Sequence, residues 1–180
     1  EVDNQSVAQV GSEITGVVTA RHVREGDRVR KGDLLLKLRD EEQTARLREA
    51  EAALRQLVDS SRPQAEATLE DAQSNLLQAQ RELARREKLQ ARKLLSAEAL
   101  EQARRAELAA RVIRDRARLA AAALAADGSE ERILRERLEA ARTALARTRI
   151  LAGFDGIVQR RNVEPGDLVQ PGRTLLTIAR

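Results

Sequence analysis

The sequence lacks cysteine, methionine, tryptophan and tyrosine altogether, and it contains one phenylalanine, Phe154, and one histidine, His22. Without cysteine the chain can form no disulfide, no thiolate metal site and no cysteine nucleophile. Its single histidine belongs to no recognisable serine hydrolase motif or metal-ligand spacing, and no glycine-rich phosphate loop is present. We therefore predict a protein that is not an enzyme and that has no catalytic, metal or cofactor site.

Long apolar runs are also missing from the sequence. No stretch approaches the roughly 18 apolar residues that mark a membrane-spanning helix, and the segment that begins at Glu1 has no signal-peptide pattern. If the natural protein is exported or anchored, we expect the responsible segment to lie outside this sequence.

Charge of one sign is not concentrated in any stretch, although the chain is basic overall. It has 33 Lys and Arg against 29 Asp and Glu, for a formal net charge of +4. Acidic and basic residues recur at i,i+4, the spacing that stabilises an exposed helix face. The pairs are Glu42–Arg46, Glu51–Arg55, Glu82–Arg86, Glu101–Arg105, Glu107–Arg111 and Glu131–Arg135. Because a nucleic-acid binder more often combines a one-sign stripe with aromatic residues, we predict no nucleic-acid partner.

Glycine is concentrated at the two ends of the chain. Eight of the nine glycines lie in residues 1–39 or 150–180, and residues 40–149 contain only four Val or Ile. The ends are therefore predicted to form short strands joined by turns, and the middle is predicted to be helical. This pattern indicates an α+β chain in which a β-domain, residues 10–39 plus 150–180, is split by a helical insert, residues 40–149.

The two ends of the chain repeat each other. Residues 16–38 and 156–178 align without a gap at an offset of 140 positions and share 10 identities in 23. In each copy a Gly-Asp pair, beginning at Gly26 or Gly166, suits a tight reversal of the chain. Neither copy has enough apolar residues to close a core alone, so we predict one small β-sandwich made from both copies. The predicted shared core contains Val18, Val29, Leu36, Val158, Val169 and Leu176.

The helical insert has apolar residues at alternating intervals of three and four. The outgoing positions are Leu47, Ala50, Leu54 and Leu57, then Leu69, Ala72, Leu76, Ala79 and Leu83. The returning positions are Ala99, Ala103, Ala106, Ala110, Ile113, Ala117, Ala120 and Leu124, then Leu134, Leu138, Ala141 and Leu145. Heptad spacing with many alanines suits close antiparallel packing of two long helices. A helical hairpin is therefore a simpler interpretation than a helical bundle.

The hairpin is predicted to turn near residues 92–96, where Ser96 can cap the returning helix. Each arm has one interruption. Residues 59–63 end in a proline that suits a helix start, and residues 127–129 combine a C-terminal glycine with a serine cap. The interruptions lie at similar distances from the turn, so we predict that they face each other as a joint.

Two motifs carry a family resemblance. Residues 23–38 read V-R-E-G-D-R-V-R-K-G-D-L-L-L-K-L, and residues 150–158 read I-L-A-G-F-D-G-I-V. With a helical hairpin between them, these motifs resemble the periplasmic adaptor or membrane fusion proteins of the hemolysin-D-like family. Gly153 stands where the family usually has proline. The resemblance covers essentially the whole chain and implies a lipoyl-like β-sandwich, of the barrel-sandwich hybrid type, interrupted by an antiparallel coiled-coil hairpin.

The β-halves are also similar to biotinyl and lipoyl carrier domains, which present a modified lysine on the turn joining their halves. Here that junction holds the helical insert and no Asp-Lys-Ala or Met-Lys-Met sequence, while Lys31 and Lys37 lie within the first half. This similarity therefore implies no swinging-arm function and no covalent cofactor.

Arg85, Leu89 and Ser96 have the spacing R-x-x-x-L-x-x-x-x-x-x-S, which marks the hairpin tip in the exporter-linked branch of the family. The resemblance implies that this tip binds the α-helical periplasmic end of a TolC-type outer-membrane channel. The chemistry is suitable, since Arg offers several donors, Leu can fill a groove and Ser can donate. On the residues alone an alternative stays open: a solvated Arg, a Leu packed between the helices and a Ser that is only a cap.

The resemblance implies the function of an adaptor subunit in a tripartite efflux or secretion system. Such a subunit bridges an inner-membrane transporter, of the ABC, RND or MFS type, to the outer-membrane channel for transmembrane export. The resemblance also places the full-length protein in the periplasm of a Gram-negative bacterium, attached to the inner membrane, and implies self-association into a hexameric ring. The alternative from another class is a structural coiled-coil scaffold with no part in export.

Overall fold

The structure, a computed structural model, describes residues 6–180. The strands are β1 Val7–Gly11, β2 Gly16–Arg21, β3 Arg28–Val29, β4 Leu34–Leu38, β5 Arg149–Leu151, β6 Gly156–Arg161, β7 Leu168–Val169 and β8 Thr174–Ala179. The helices are α1 Glu41–Gln56, a π-helix Leu57–Ser61, α2 Arg62–Ala91, α3 Ala97–Leu124 and α4 Ser129–Ala146. They form two compact units. The β-unit comprises the chain up to Glu49 together with Leu138–Arg180, and the helical unit is Ala50–Arg137.

The strands of the β-unit form two sheets in which the two halves of the repeat are interleaved. One sheet has the order β1-β8-β6-β3 and the other has the order β5-β4-β2-β7. β3 of the first half pairs with β6 of the second, and β7 of the second half pairs with β2 of the first. Each half therefore completes a sheet of the other, which explains why neither repeat could close a core alone.

The Gly-Asp turns join the halves at equivalent places. Gly26 and Gly166 have φ angles of 91° and 94°, a region that is strained for any residue with a Cβ. The Gly26 N–H donates to Val158 O at 2.8 Å, and the Gly166 N–H donates to Val18 O at 2.7 Å. The sequence repeat is therefore also a repeat of turn geometry, in which each half hydrogen-bonds to a strand of the other.

The hydrophobic core of the β-unit is one cluster with contributions from both halves. All six residues predicted to share a core belong to it, and each is 2% exposed or less. The cluster also contains Val23, Leu35, Leu38, Ile150, Ala152, Val163, Leu175 and Ile178. The prediction of a single sandwich built from both ends of the chain is confirmed.

The β-unit extends beyond the boundaries predicted for the β-domain. β1 begins at Val7, before the predicted start at residue 10, and it pairs along β8 with Val7 opposite Ala179. Its residues alternate between exposed and half-buried positions. β1 contains no continuous apolar run, and no turn residue within it marks where a strand would start. Its sequence therefore indicated a strand only weakly.

In the helical unit, α2 and α3 pack along their length. On α2 the predicted inward positions are correct: Ala72 and Leu76 are buried, and Leu69, Ala79 and Leu83 are half-buried. On α3 five predicted positions are buried or half-buried: Ala99, Ala103, Ala110, Ala117 and Leu124. The other three predicted positions, Ala106, Ile113 and Ala120, are exposed and therefore wrong. The inward residues there are Glu107, Arg114 and Ala121, each one residue later than predicted.

The error on α3 has a physical reason. Ile113 was predicted to face α2, but it is 57% exposed, and the next residue, Arg114, is half-buried. Likewise Glu107 is 7% exposed, with its carboxylate hydrogen-bonded to Arg111 one turn later. Adjacent residues of a helix lie on different faces, and a long charged side chain with a partner can occupy a position beside an interface. An apolar pattern therefore assigns the wrong residues to the packed face of a helix when charged residues occupy some of the inward positions.

The charged faces of the helices largely follow the predicted pairing. Five of the six predicted i,i+4 pairs are ion pairs, for example Glu82–Arg86 at 2.8 Å. The sixth, Glu51–Arg55, is not within ion-pair distance in the described chain. Of the helices within residues 6–180, none combines the length and the apolar character needed to cross a membrane.

The two predicted interruptions lie against each other, but the outgoing arm does not break. The π-helix Leu57–Ser61 runs directly into α2, so the expected break at residues 59–63 is a local change of helix type. Arg62, the first residue of α2, donates from Nε to Leu124 O at 2.7 Å and from Nη2 to Glu131 at 3.1 Å. These bonds link the two arms beside the π-helix.

The returning arm is non-helical between α3 and α4, as predicted, but the glycine there has a different role from the predicted one. The residue with a positive φ angle is Asp127, at 58°, and not Gly128. Gly128 is required for lack of space, because a Cβ there would lie 2.8 Å from Ala125 O and 3.0 Å from Ala122 O. The expected C-terminal glycine therefore serves close packing against the end of α3.

The start of α4 is held by an acidic side chain in place of the predicted serine cap. Ser129 is the first residue of the helix itself, and the Glu131 carboxylate accepts the Asp127 N–H at 2.6 Å. This hydrogen bond, followed by the one from Arg62, lowers the pKa of the buried Glu131 carboxyl below its ordinary value. Glu131 thus joins the linker between α3 and α4 to the outgoing arm.

Candidate functional site

The turn between α2 and α3 is closed by backbone hydrogen bonds. The Leu94 N–H donates to Leu89 O at 2.9 Å, and the Lys93 N–H donates to Gln90 O at 2.8 Å. This pair of bonds is a Schellman motif, which usually has glycine at its left-handed position. Here Lys93 occupies that position, with a φ angle of 57°. The turn is therefore tight, and no glycine in the sequence announces it.

Ser96 caps the returning helix. Its Oγ accepts the Ala99 N–H at 3.2 Å, and its extended backbone lies directly before the first residue of α3. The predicted capping role of Ser96 is confirmed. Because the oxygen acts as an acceptor in the cap, the hydroxyl proton can still be donated to another group.

Arg85 is held on the surface of α2 by an acidic neighbour. Its Nε and Nη2 atoms donate to Glu82 at 3.0 and 2.6 Å, while the side chain is 62% exposed. The two bonds from Arg85, followed by one from Arg86, lower the pKa of Glu82 to about 2. The same ion pair raises the pKa of Arg85. Glu82 thus orients the guanidinium of Arg85 by binding its Nε and Nη2 edge, which leaves Nη1 free to donate to another acceptor.

Arg86 connects the two helices beside this ion pair. Its Nε donates to Glu82 at 2.8 Å, and its Nη1 donates across the turn to Ala99 O at 2.7 Å. The motif spacing to Leu89 and Ser96 selects Arg85 and not Arg86, although two adjacent arginines have the same chemistry in a sequence. The structure distinguishes them: Arg86 is half-buried and bridges the helices, whereas Arg85 is exposed.

The apolar part of the site contains a residue that the motif does not include. Leu89 is half-buried on the last turns of α2, while Leu94, in the turn itself, is 68% exposed. The motif does not include Leu94. A leucine in the turn between two helices, outside any apolar pattern, could nevertheless have indicated an exposed apolar contact residue. We call Arg85, Leu89, Leu94 and Ser96 the tip surface.

The chain matches one family model and several solved structures. The model for the CzcB-like barrel-sandwich hybrid domain matches residues 6–180. Among curated proteins, no sequence matches this chain. The periplasmic adaptor protein EmrA is similar in structure, with 16% identity and a TM-score of 0.54 over 97% of this chain and 72% of its own.

Two further solved structures have a similar fold. MacA from Actinobacillus actinomycetemcomitans has 24% identity and a TM-score of 0.51, over 98% of this chain and 50% of its own. The soluble domain of LipC, a membrane fusion protein of a type I secretion system, has 15% identity and a TM-score of 0.51. The similarity covers 97% of this chain and 99% of the LipC chain. The chain spans only 40% and 48% of two other chains that it matches. These findings confirm the fold that the sequence resemblance implied.

Proposed function

Because the chain belongs to the CzcB-like barrel-sandwich hybrid domain family, we propose that it acts as an adaptor in a tripartite efflux or secretion system. It bridges an inner-membrane transporter to a TolC-type outer-membrane channel, and the tip surface binds the channel. It has no chemical step of its own, since the transporter supplies the energy for export. Solved proteins of the same fold are described as a periplasmic adaptor and a membrane fusion protein, which supports this proposal.

The observation that carries the proposal is the exposed chemistry at the end of the hairpin. The turn presents a large apolar side chain, Leu94, which is 68% exposed, and α2 presents an oriented guanidinium, Arg85, which is 62% exposed. Arginine is enriched among the residues that dominate protein interfaces, and a buried leucine contributes apolar area. Neither side chain is required to hold the turn, because backbone bonds close it.

The proposal predicts that Arg85 and Leu94 affect export without affecting the fold, whereas Ser96 also caps α3. Replacing Arg85, Leu89 and Ser96 together with alanine, or replacing Leu94 alone, should abolish or strongly reduce export by the full-length protein. If one of these residues is central to the interface, its truncation should weaken channel binding by about 2 kcal/mol, roughly thirtyfold. For exposed Arg85 and Leu94, thermal unfolding should change little, within about ±0.5 kcal/mol.

A matched control is available on α3. Arg105 is 80% exposed and Leu119 is 72% exposed, and neither belongs to the tip surface. Their alanine variants should leave both export and channel binding unchanged. Normal export with all four residues of the tip surface replaced would contradict the assignment. It would favour the alternative of a coiled-coil scaffold, which should also fail to retain a channel protein in a pull-down.

The proposal also includes location and assembly. The full-length protein would lie in the periplasm of a Gram-negative bacterium, attached to the inner membrane, and would form a ring, hexameric by family resemblance. A ring repeats a weak contact around a channel, so several tips together can bind far more tightly than one. Native mass spectrometry of the full-length protein tests the ring, and a monomer under conditions that support export would contradict it.

A further inference from the structure

A groove in the β-unit lies beside β5 and has no role in the proposed docking of the tip surface. It consists of two adjoining hollows of about 440 and 290 Å³, which have three lining residues in common. We call it the β5 groove. Its lining includes Val10, Leu47, Arg142, Leu145, Arg149 and Leu151.

The first feature of the groove is an open strand edge. Among the strands of residues 6–180, β5 is the outermost of its sheet and pairs with β4 alone. Thr148 O accepts an N–H at 2.7 Å and the Ala152 N–H donates at 2.9 Å, both toward the β4 side. In an antiparallel sheet alternate residues face the same neighbour, so the backbone groups of Arg149 and Leu151 face away from β4. Within residues 6–180, β4 is the one strand in register with β5, so no strand covers its outer edge.

The second feature is the alternation of side chains along β5. Ile150 is 7% exposed and belongs to the core, whereas Leu151 is 50% exposed. Side chains of successive strand residues point to opposite faces, so Arg149 and Leu151 project together on the outer face. Leu47 and Leu145 also line the groove there. The outer face of β5 therefore combines apolar surface with one guanidinium.

The third feature is an excess of positive charge. Arg142, Arg147 and Arg149 all line the groove, and among residues 6–180 the one acidic residue in its lining is Glu13. Glu13 pairs with Arg147 at 3.2 Å, and Arg142 lies 3.8 Å from Glu139, which is outside the lining. Within residues 6–180, no carboxylate lies at ion-pair distance from Arg149. An anionic partner would therefore be favoured over a neutral or cationic one.

We propose that the β5 groove binds an extended acidic segment of a partner protein, which adds to β5 as a further strand. Such a segment would satisfy the outward backbone groups of Arg149 and Leu151. Its apolar side chains would cover Leu145 and Leu151, and its carboxylates would pair with Arg142 and Arg149. Because β5 has only three residues, the backbone bonds alone would be too few, and the charged and apolar contacts supply most of the affinity. The inference does not depend on the role proposed for the tip surface.

The probe for this proposal is a fluorescent eight-residue peptide in which valine alternates with glutamate, titrated with the full chain at low salt. We expect saturable binding that Arg149→Glu weakens at least tenfold, since a charge-assisted hydrogen bond contributes about 1.5–3 kcal/mol. Leu151→Pro should also weaken binding, because it removes an outward N–H and no bond to β4. Arg160→Glu is the matched control, since Arg160 is an exposed arginine of β6 outside the groove.

Binding that persists at full strength in Arg149→Glu and Leu151→Pro would overturn the proposal, as would equal weakening in Arg160→Glu. The same peptide with lysine in place of glutamate should not bind, and equal binding of that peptide would remove the electrostatic argument. A dimer of the chain that Arg149→Glu dissociates would identify a second copy as the occupant and overturn the proposal. So would a fatty acid that competes while the acidic peptide does not bind. Thermal unfolding is measured for each variant as well, because an unchanged unfolding temperature shows that a loss of peptide binding does not come from a loss of folding.

Discussion

At the scale of single residues, Glu82 is the group whose ionisation depends most directly on the tip surface. Arg85, and after it Arg86, hold the pKa of Glu82 at about 2, against an ordinary value of 4.5. We therefore predict that Arg85→Ala raises the pKa of Glu82, because the largest stabilising contribution to its ionised form is lost. An NMR titration of the side-chain carboxyl carbon measures this pKa. Arg81→Ala, an exposed arginine outside the ion pair, should leave it unchanged.

The same lowered pKa predicts a pH dependence of stability. Because Glu82 binds its proton less readily in the folded protein, its contribution to the free energy of unfolding is complete above pH 4.5 and is lost as the pH falls toward 2. The lowered pKa of Glu131 acts in the same direction. In Arg85→Ala the loss of stability over this window should be smaller. An identical acid dependence in the two proteins would contradict the assignment of the shift to Arg85.

Gly128 is a second residue whose effect follows from local geometry. An added Cβ would meet three carbonyl oxygens of the preceding turn at 2.8–3.1 Å, and backbone atoms there cannot move aside easily. We predict that Gly128→Ala lowers the free energy of unfolding by about 1–3 kcal/mol. Gly153→Ala is the control, since nothing lies within 4 Å of the Cβ position, and it should change stability by no more than about 0.5 kcal/mol. Chemical denaturation of both variants measures the difference, and equal effects would contradict the steric explanation.

At the scale of elements, α3 has a face packed against α2 and an exposed face that is also rich in apolar residues. Leu100 is 4% exposed, whereas Leu119 is 72% exposed. Leu100→Ala should therefore cost about 2–5 kcal/mol, because it leaves a cavity, and Leu119→Ala should stay within about ±0.5 kcal/mol. Thermal and denaturant unfolding of the two variants test this assignment. A large loss of stability in Leu119→Ala would contradict the assignment of Leu119 to the exposed face of α3.

At the scale of the whole molecule, the β-unit cannot be divided into its two repeats. β3 and β7 each pair with a strand of the other half, and the core cluster contains residues of both. Deleting residues 150–180 should therefore unfold the first half, with loss of hydrogen-exchange protection at Val18 and Val29. Retained protection at these amides would show that residues 1–39 fold independently and would contradict the interleaved sandwich.

The candidate site could be predicted from the sequence only in part. The Ser96 cap follows from a local rule, because a serine before a helical pattern satisfies the first free N–H groups. The exposure of Leu94 and the different roles of Arg85 and Arg86 depend on how α2 and α3 pack, and no short-range pattern carries that information. The β5 groove was missed for the same reason, since its lining combines residues that are more than 90 positions apart, such as Leu47 and Arg142.

The sequence by itself determined the α+β class, the split β-sandwich and the helical hairpin, because these depend on glycine placement, a repeat and apolar periodicity, all of which are local or directly visible. Only the tertiary structure decided the phase of α3, where Arg114 faces inward and Ile113 does not. It also decided that the outgoing arm continues through a π-helix and that β1 begins at Val7. These features depend on contacts between distant parts of the chain, and such contacts can outweigh the weak local preferences of single residues.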